Sequence, residues 1–404
     1  MPLIRPFCGL RPQPAWANEV LAPPYDVVNT REAREQARDK PRNFLHVSRA
    51  EIDLPAELDV HDPRVYQQAA RVFNTWRAEG VLVQDERPCY YAYRLVMEGR
   101  TQLGLVAAAS VAAYDTGRIK RHEWTRPDKE DDRVRHISTL SAQTGPVLLF
   151  YPDSTAIDRL LIQSTEHPPL VDVQADDGVR HSLWVIGEDA RCAALTDAFE
   201  QLPSVYIADG HHRSAAAARI AHDHPSDDSR QYVLTVSFPH HQMHIMEYNR
   251  LVTDLNGHDP DRLLQNIARH FQVEAVAEPF SPSERGTFGM YLNGGWYRLT
   301  LPPEWIPTDP VGRLDVSLLH RYLIEPCLGI SDPRRDRRID FVGGIRGLQA
   351  LKQRVDSGEM ALGFALYPTQ IADLMAVADA GEVMPPKSTW FEPKLADGLV
   401  SLCY

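Results

Sequence analysis

Cysteine is scarce and scattered in this 404-residue chain: Cys8, Cys89, Cys192, Cys327 and Cys403, with no CxxC pair. That set excludes a disulfide framework or a zinc ribbon and fits reduced thiols used as small apolar filler. Long hydrophobic runs are also missing. The nearest, Leu103 to Tyr114, falls short of the roughly 18 residues of a membrane span, and Met1 to Leu10 carries no apolar signal core. The expectation is a cytoplasmic protein with no membrane partner. An excess of basic charge is absent as well, with 43 Lys and Arg against 55 Asp and Glu and a formal net charge of −12. Counterion release needs a basic face, so no nucleic-acid partner is expected. Neither GxxxxGK[ST] nor GxSxG occurs, which removes a Walker-type loop and a serine nucleophile elbow.

What the chain does have is proline, 31 residues, within an otherwise ordinary 43% apolar and 24% charged composition. Short elements joined by rigid turns follow from that. Helical spacing marks Thr30–Asp39, Val65–Glu79, Ala190–Leu202 (with Asp189 as its cap), Ser214–Ala221, Leu263–Phe271, Val316–Ile324 and Gln370–Ala380. Strand patterns mark Asn43–Val47, the pair Cys89–Met97 and Gln102–Tyr114, Pro146–Tyr151, Leu170–Ala175 with His181–Ile186, Val205–Ala208, Thr287–Leu301 and Glu359–Tyr367. Strands and helices mix without a regular βαβ period, so the fold class is α+β, a mixed α/β protein. The polar stretch Thr253–Pro260 suggests a division into residues 1–252 and 253–404.

The sharpest local signal is the segment Tyr206–Arg213, a hydrophobic strand ending at Asp209 that runs through Gly210, His211, His212 and Arg213 into an alanine-rich helix. Glycine accepts a positive φ and lets the backbone approach a ligand. The first turn of the helix offers free N–H groups and a positive dipole end, and Arg213 offers a phosphate-matching fork. Asp209 would orient a histidine or help bind a metal. The bland alternative is a capped helix start with surface histidines.

A second concentration is Arg118–His136, with seven basic and five acidic residues beside His122 and Trp124. It reads as a shaped loop. Arg121, Arg126, Lys129 and Arg133 would clamp phosphates, Glu130 and Asp131 would hold Mg²⁺, and Glu123 would act as base. A merely solvated charged face is the alternative. Two further loops are candidates: Tyr25–Asp26 after Pro23–Pro24, presenting Asp26 or capping the next helix, and Met384–Trp390 with Lys387, followed by Lys394, closing an anion pocket or making a plain turn. His240, His241 and His244 read as a polar strand end, since no further metal ligand is evident.

Six blocks, APPYDVV (22–28), NFLHV (43–47), RHEWTRPDKEDDRVRH (121–136), ADGHHRSAAA (208–217), YNRLVTDLNG (248–257) and MPPKSTWFEPK (384–394), resemble those of the bacterial and archaeal domain-of-unknown-function family 1015. The strand–DGHHR–helix unit is in addition similar to the phosphate-binding turn of the ParB/sulfiredoxin-like superfamily. This resemblance implies a ParB/sulfiredoxin-like nucleotide-binding core with an additional α+β C-terminal region. It also implies a phosphate-binding role for Asp209, Gly210, His211, His212 and Arg213. Partitioning proteins of that superfamily read DNA and sulfiredoxin needs a cysteine beside the turn, features absent here. Its free-serine kinases fit best. The expectation is therefore a small-molecule kinase using ATP, ADP or CTP with Mg²⁺, acting on a metabolite hydroxyl such as that of free L-serine. Glu123, Asp26 and Asp209 are the catalytic candidates. A nucleotide-binding regulatory or scaffold protein, or a phosphohydrolase, is the alternative.

Overall fold

The computed structural model describes residues 1–404. The chain divides into two compact units, Met1–Met243 with Pro393–Tyr404, and His244–Glu392. This differs from a border after residue 252. The polar stretch at 253–260 is a loop inside the second unit, joining the strand Tyr248–Val252 to the helix Pro260–Ile267. The C-terminus returns to the first unit because Ser401–Cys403 pairs with Gly9–Pro12 and with Ala142–Gln143 in a four-stranded sheet. No helix is long and apolar enough to cross a membrane.

The first unit is built on a nine-stranded mixed sheet, so the α+β class holds. Its order runs Ile119–Lys120, Val205–Asp209, Val147–Tyr151, Tyr232–Pro239, Arg100–Ser110, Tyr90–Met97, Arg180–Ile186, Val171–Gln174, with Ile4–Arg5 added beside Arg100–Ser110. Tyr90–Met97 and Arg100–Ser110 join through Glu98–Gly99, both at positive φ, the conformation a two-residue hairpin of matching twist requires. The second unit carries a six-stranded antiparallel sheet in the order 272–276, 295–300, 287–292, 362–366, 248–252, 339–343.

Two segments fold differently from their sequence pattern. Asn43–Val47 forms no strand: Leu45–Ser48 is a helical turn leading into a 3-10 turn over Ala50–Asp53. A five-residue apolar run has no period of its own, and burial of Phe44, Leu45 and Val47 is met equally by a coil turned inward. The charged stretch begins with the edge strand Ile119–Lys120 and is a loop only over residues 121–126; from there Pro127–Leu140 is a helix. Its buried stripe is Arg133, His136, Ile137 and Leu140, a helical spacing masked because two of its four members are polar.

That helix sets the position of the next one. His211–Asp223 lies with Ala217, Ala218 and Ala221 in the core against the sheet, while Ala216 and Ile220 pack on Ile137 of Pro127–Leu140. A helix buried on two sides must be thin, which is the work of the alanine run.

Candidate functional site

The strand Val205–Asp209 pairs antiparallel with Val147–Tyr151, and its register slips between Ile207 and Asp209. Such a bulge bends the strand end and re-aims the last side chain. Gly210 follows at φ +100°, and a Cβ there would come within 3.1 Å of Arg213 Nε. The backbone conformation therefore favours glycine, and any side chain would press on the Arg213 guanidinium. The helix begins at His211 with no side-chain cap, and His211, Arg213 and Ser214 are buried. Two other long helices without a side-chain cap start at Pro127 and Asp189, where the first residues are exposed to solvent. Here the first turn has much less access to water.

Arg213 stands behind this turn. Its Nη2 lies 3.4 Å from Asp209 Oδ2 and 3.6 Å from Asp26 Oδ2, Nη1 donates to the Pro146 carbonyl, and Nε is buried without a partner. Burial opposes its charge, but Asp26 and Asp209 outweigh that and hold it ionised. Burial would likewise raise Asp209; the charges of Lys394, Arg213 and His211 instead hold its carboxyl at about 2. Asp397 is different. It is almost fully buried, accepts the Tyr25 N–H at 3.3 Å, and is pushed up to about 7 by burial, with Arg213 pulling the other way. Tyr25 lies under the Arg133 guanidinium, 3.9 Å from its ring centre, and burial pushes its hydroxyl up to about 12.

The histidines first of all hold a loop in place. His211 Nε2 accepts the His122 N–H at 3.4 Å, and His212 Nε2 accepts the Arg126 N–H at 3.1 Å. Both rings tie the 122–126 loop to the turn, so each must be unprotonated at Nε2. Burial keeps them so: it drives His211 well below the usual imidazole range, helped by His122, and lowers His212. His122, edge-on to His211 with ring centres 4.5 Å apart, is lowered by burial to about 4, and its Nδ1 is buried without a partner. With Nε2 accepting and the rings neutral, the remaining proton of each sits on Nδ1, so the donors at the turn are its backbone N–H groups, the two Nδ1–H groups and Arg213.

Among the other sequence candidates, Asp26 and Glu123 both reach the turn, Asp26 at Arg213 and Glu123 at 3.8 Å from His211 Nδ1. Arg126 pairs with Asp128 at the exposed helix start, Arg121 reaches the Tyr114 hydroxyl at 3.4 Å, and Arg133 is bound to Asp132 at 2.6 Å. Lys129 is exposed. Glu130 and Asp131, the pair expected to hold a metal, both face Arg219, at 3.5 and 2.8 Å, and Thr125 also bonds Glu130. An arginine shared by two carboxylates leaves no cation site there, and no group of three or more His, Cys, Asp or Glu side chains gathers to hold a metal ion. Lys387 belongs to the second unit, where its ammonium lies 5.5 Å from the Tyr248 ring centre. Lys394, by contrast, is in the first unit and acts on Asp209. Asp397 had no signal in the sequence: it is one aspartate of a terminal segment, and only the fold buries it.

A family model matches residues 4–317, well over half of the chain. The protein belongs to the DUF1015 family of proteins of unknown function. No curated protein matches it. Among solved structures it is similar to a free serine kinase in complex with AMP, at 13% identity over 71% of this chain and 86% of that one, TM-score 0.37. A conserved hypothetical protein from Pyrococcus furiosus gives 13% identity, 72% and 93% coverage and a TM-score of 0.36. SbnI from Staphylococcus aureus gives 12%, 74% and 87%, and 0.33. Scores this low leave the chemistry to be judged from this DUF1015 chain's own residues.

Proposed function

We propose that this DUF1015 protein is a phosphotransferase that holds a nucleotide by its phosphates on the turn Asp209–Arg213 and phosphorylates a small metabolite hydroxyl, with free L-serine the first acceptor to test. The observation that carries this is a buried, uncapped helix start, reached through a glycine at positive φ that lies against Arg213, with an unpartnered arginine N–H behind it. Each buried amide left open costs about 1–3 kcal/mol, a penalty that a phosphate oxygen removes. The donor set suits a phosphate: backbone N–H groups, a forked guanidinium, and Lys394 nearby.

A nucleotide supplies the phosphoryl group. Arg213 and Lys394 offset the charge that develops on it, as such transfers depend on positioning and electrostatics. Asp26 is the base in this reading, because its carboxylate adjoins Arg213 and its neighbour Tyr25 backs onto Arg133. The acceptor proton passes to Asp26 as the acceptor oxygen bonds the terminal phosphorus and the bond to the bridging oxygen breaks. Glu123 is the rival for that role.

The test is a ³¹P NMR screen of the purified chain with Mg²⁺ and ATP, ADP or CTP, with and without L-serine and a pool of hydroxyl metabolites. A phosphomonoester signal that needs both nucleotide and acceptor is expected. Nucleotide binding that yields inorganic phosphate alone, or no product, would replace the kinase with a nucleotide-dependent regulatory protein. Phosphate released from a phosphorylated metabolite without nucleotide would make it a phosphohydrolase.

A further inference from the structure

The first unit contains a cavity of about 80 Å³ whose wall includes Tyr25 and Arg133, the pair that also backs the phosphate turn. At about 10–15 Å³ per water, it has room for several waters or one small polar molecule. Its carboxylates are already satisfied. Asp132 accepts from the Tyr66 hydroxyl at 2.8 Å and pairs with Arg133, and Glu51 accepts from Thr30 Oγ1 at 3.2 Å and faces Arg49.

What stays open on this wall is mostly donors. Ser48 is 5% exposed, and its Oγ is buried with no partner. Arg49 Nε forms an ion pair with Glu51 Oε1 at 3.0 Å but lacks the alignment of a hydrogen bond, so its N–H is still open to a better-placed acceptor. Lys129 lines the cavity as an exposed cation. One acceptor faces them. His136 must donate from Nε2 to the Val47 carbonyl at 3.0 Å, and burial keeps the ring neutral, lowered to about 4, so Nδ1 offers a lone pair. Two buried donors beside a cation call for a carboxylate, and the imidazole lone pair calls for a hydroxyl or amine proton on the same molecule.

We propose that this cavity is the acceptor subsite and takes a small carboxylate that also bears a hydroxyl, its carboxylate on Ser48 and Arg49 and its donor group on His136. The assignment rests on the phosphotransferase reading, and the experiment separates the two.

The full-length chain is titrated by calorimetry with ATP and, separately, with D-glycerate, L-serine, glycerol and ethanolamine. The same series is run on Ser48→Val, which fills space and removes an unsatisfied hydroxyl, and on Ser48→Ala as a milder check of folding. D-glycerate or L-serine is expected to bind the wild type. Glycerol and ethanolamine, which lack the carboxylate, are expected to bind at least about tenfold more weakly. Ser48→Val should lose the carboxylate ligands by a similar factor while ATP affinity stays within about twofold. Equal binding of glycerol and glycerate, unchanged binding in Ser48→Val, or no binding of either carboxylate overturns the subsite. Carboxylate binding at Ser48 without phosphorylation of the bound compound overturns its role as acceptor, while the transferase reading stands or falls by the ³¹P screen of the wider hydroxyl pool. Phosphorylation of glycerol as fast as glycerate keeps the transferase and removes the subsite.

Discussion

The helix Thr30–Gln36 opens with its donors closed by its own chain: the Asn29 side chain accepts the Glu32 N–H at 2.9 Å, and Glu32 returns the favour to the Asn29 N–H. The helix His211–Asp223 opens on Gly210, with no side chain to close anything, although its first residues are buried where Thr30 is half-exposed. The arginines nearest the two starts differ in the same way. Arg49 Nη2 bonds Thr30 Oγ1 at 3.0 Å and so closes on its own helix start, whereas Arg213 stands among Asp26, Asp209 and Asp397 and bonds no group of its helix start other than Asp209. A capping box stabilises a helix; an open start in a buried position stabilises nothing by itself and makes sense when a ligand completes it.

Several substitutions would break or sharpen this contrast. The largest effect is expected from Arg213→Ala, which leaves Asp26, Asp209 and Asp397 without their shared cation. A loss of about 3–5 kcal/mol in chemical unfolding is expected. Arg213→Lys keeps the charge, so it should fold nearly as well yet bind ATP about tenfold or more weakly in calorimetry. An Arg213→Lys protein with wild-type ATP affinity would remove the turn from the site.

Next, Asp26→Asn should cut phosphoryl transfer in the ³¹P assay by about 10²-fold or more with nucleotide affinity little changed, while Glu123→Gln stays within a few fold. The reverse pattern would hand the base to Glu123. The direct comparison of the two helix starts comes third. Gly210→Ala forces a Cβ against Arg213 at positive φ, so about 1–3 kcal/mol of stability and most ATP affinity should go. Asn29→Ala should cost about 0.5–2 kcal/mol and leave ATP binding unchanged. If both variants bind ATP alike, the open start is merely a poor cap.

The smallest effect concerns Asp397. Its folded-state value, about 7, lies above that of an unfolded aspartate, near 3.8. The folded form thus holds the proton more tightly, and the stability linked to this group is complete below the unfolded value and lost as pH rises towards 7. Asp397→Asn has no proton to lose. Its melting temperature should match the wild type near pH 4 and rise progressively above it as pH approaches and passes 7. A constant offset across that range would show that Asp397 is ionised throughout.

The fold was most legible where a period was long or a turn had its own chemistry. Pro63–Ala78 shows its stripe of Val65, Tyr66, Ala69, Phe73 and Trp76, and the Glu98–Gly99 hairpin announces itself between two β-rich runs. The helix Pro127–Leu140 was hidden because Arg133 and His136 occupy buried positions, polar residues that only a partner such as Asp132 or the Val47 carbonyl makes tolerable inside. At the site, Asp209, Gly210 and Arg213 were visible because a strand end, a glycine and a helix start must be adjacent in sequence to make such a turn. Lys387 and Lys394 look alike in one proline-rich stretch, yet they belong to different units.

The sequence by itself determined the α+β class, the glycine turn and its phosphate-type donors, since these depend on local backbone preference and residue type. Only the tertiary structure decided which charges are already spent. Glu130 and Asp131 share Arg219, whereas Asp26, Asp209 and Asp397 surround Arg213. Those groupings join residues up to hundreds of positions apart. Their energies depend on burial and on distances of a few ångströms, which no local pattern encodes.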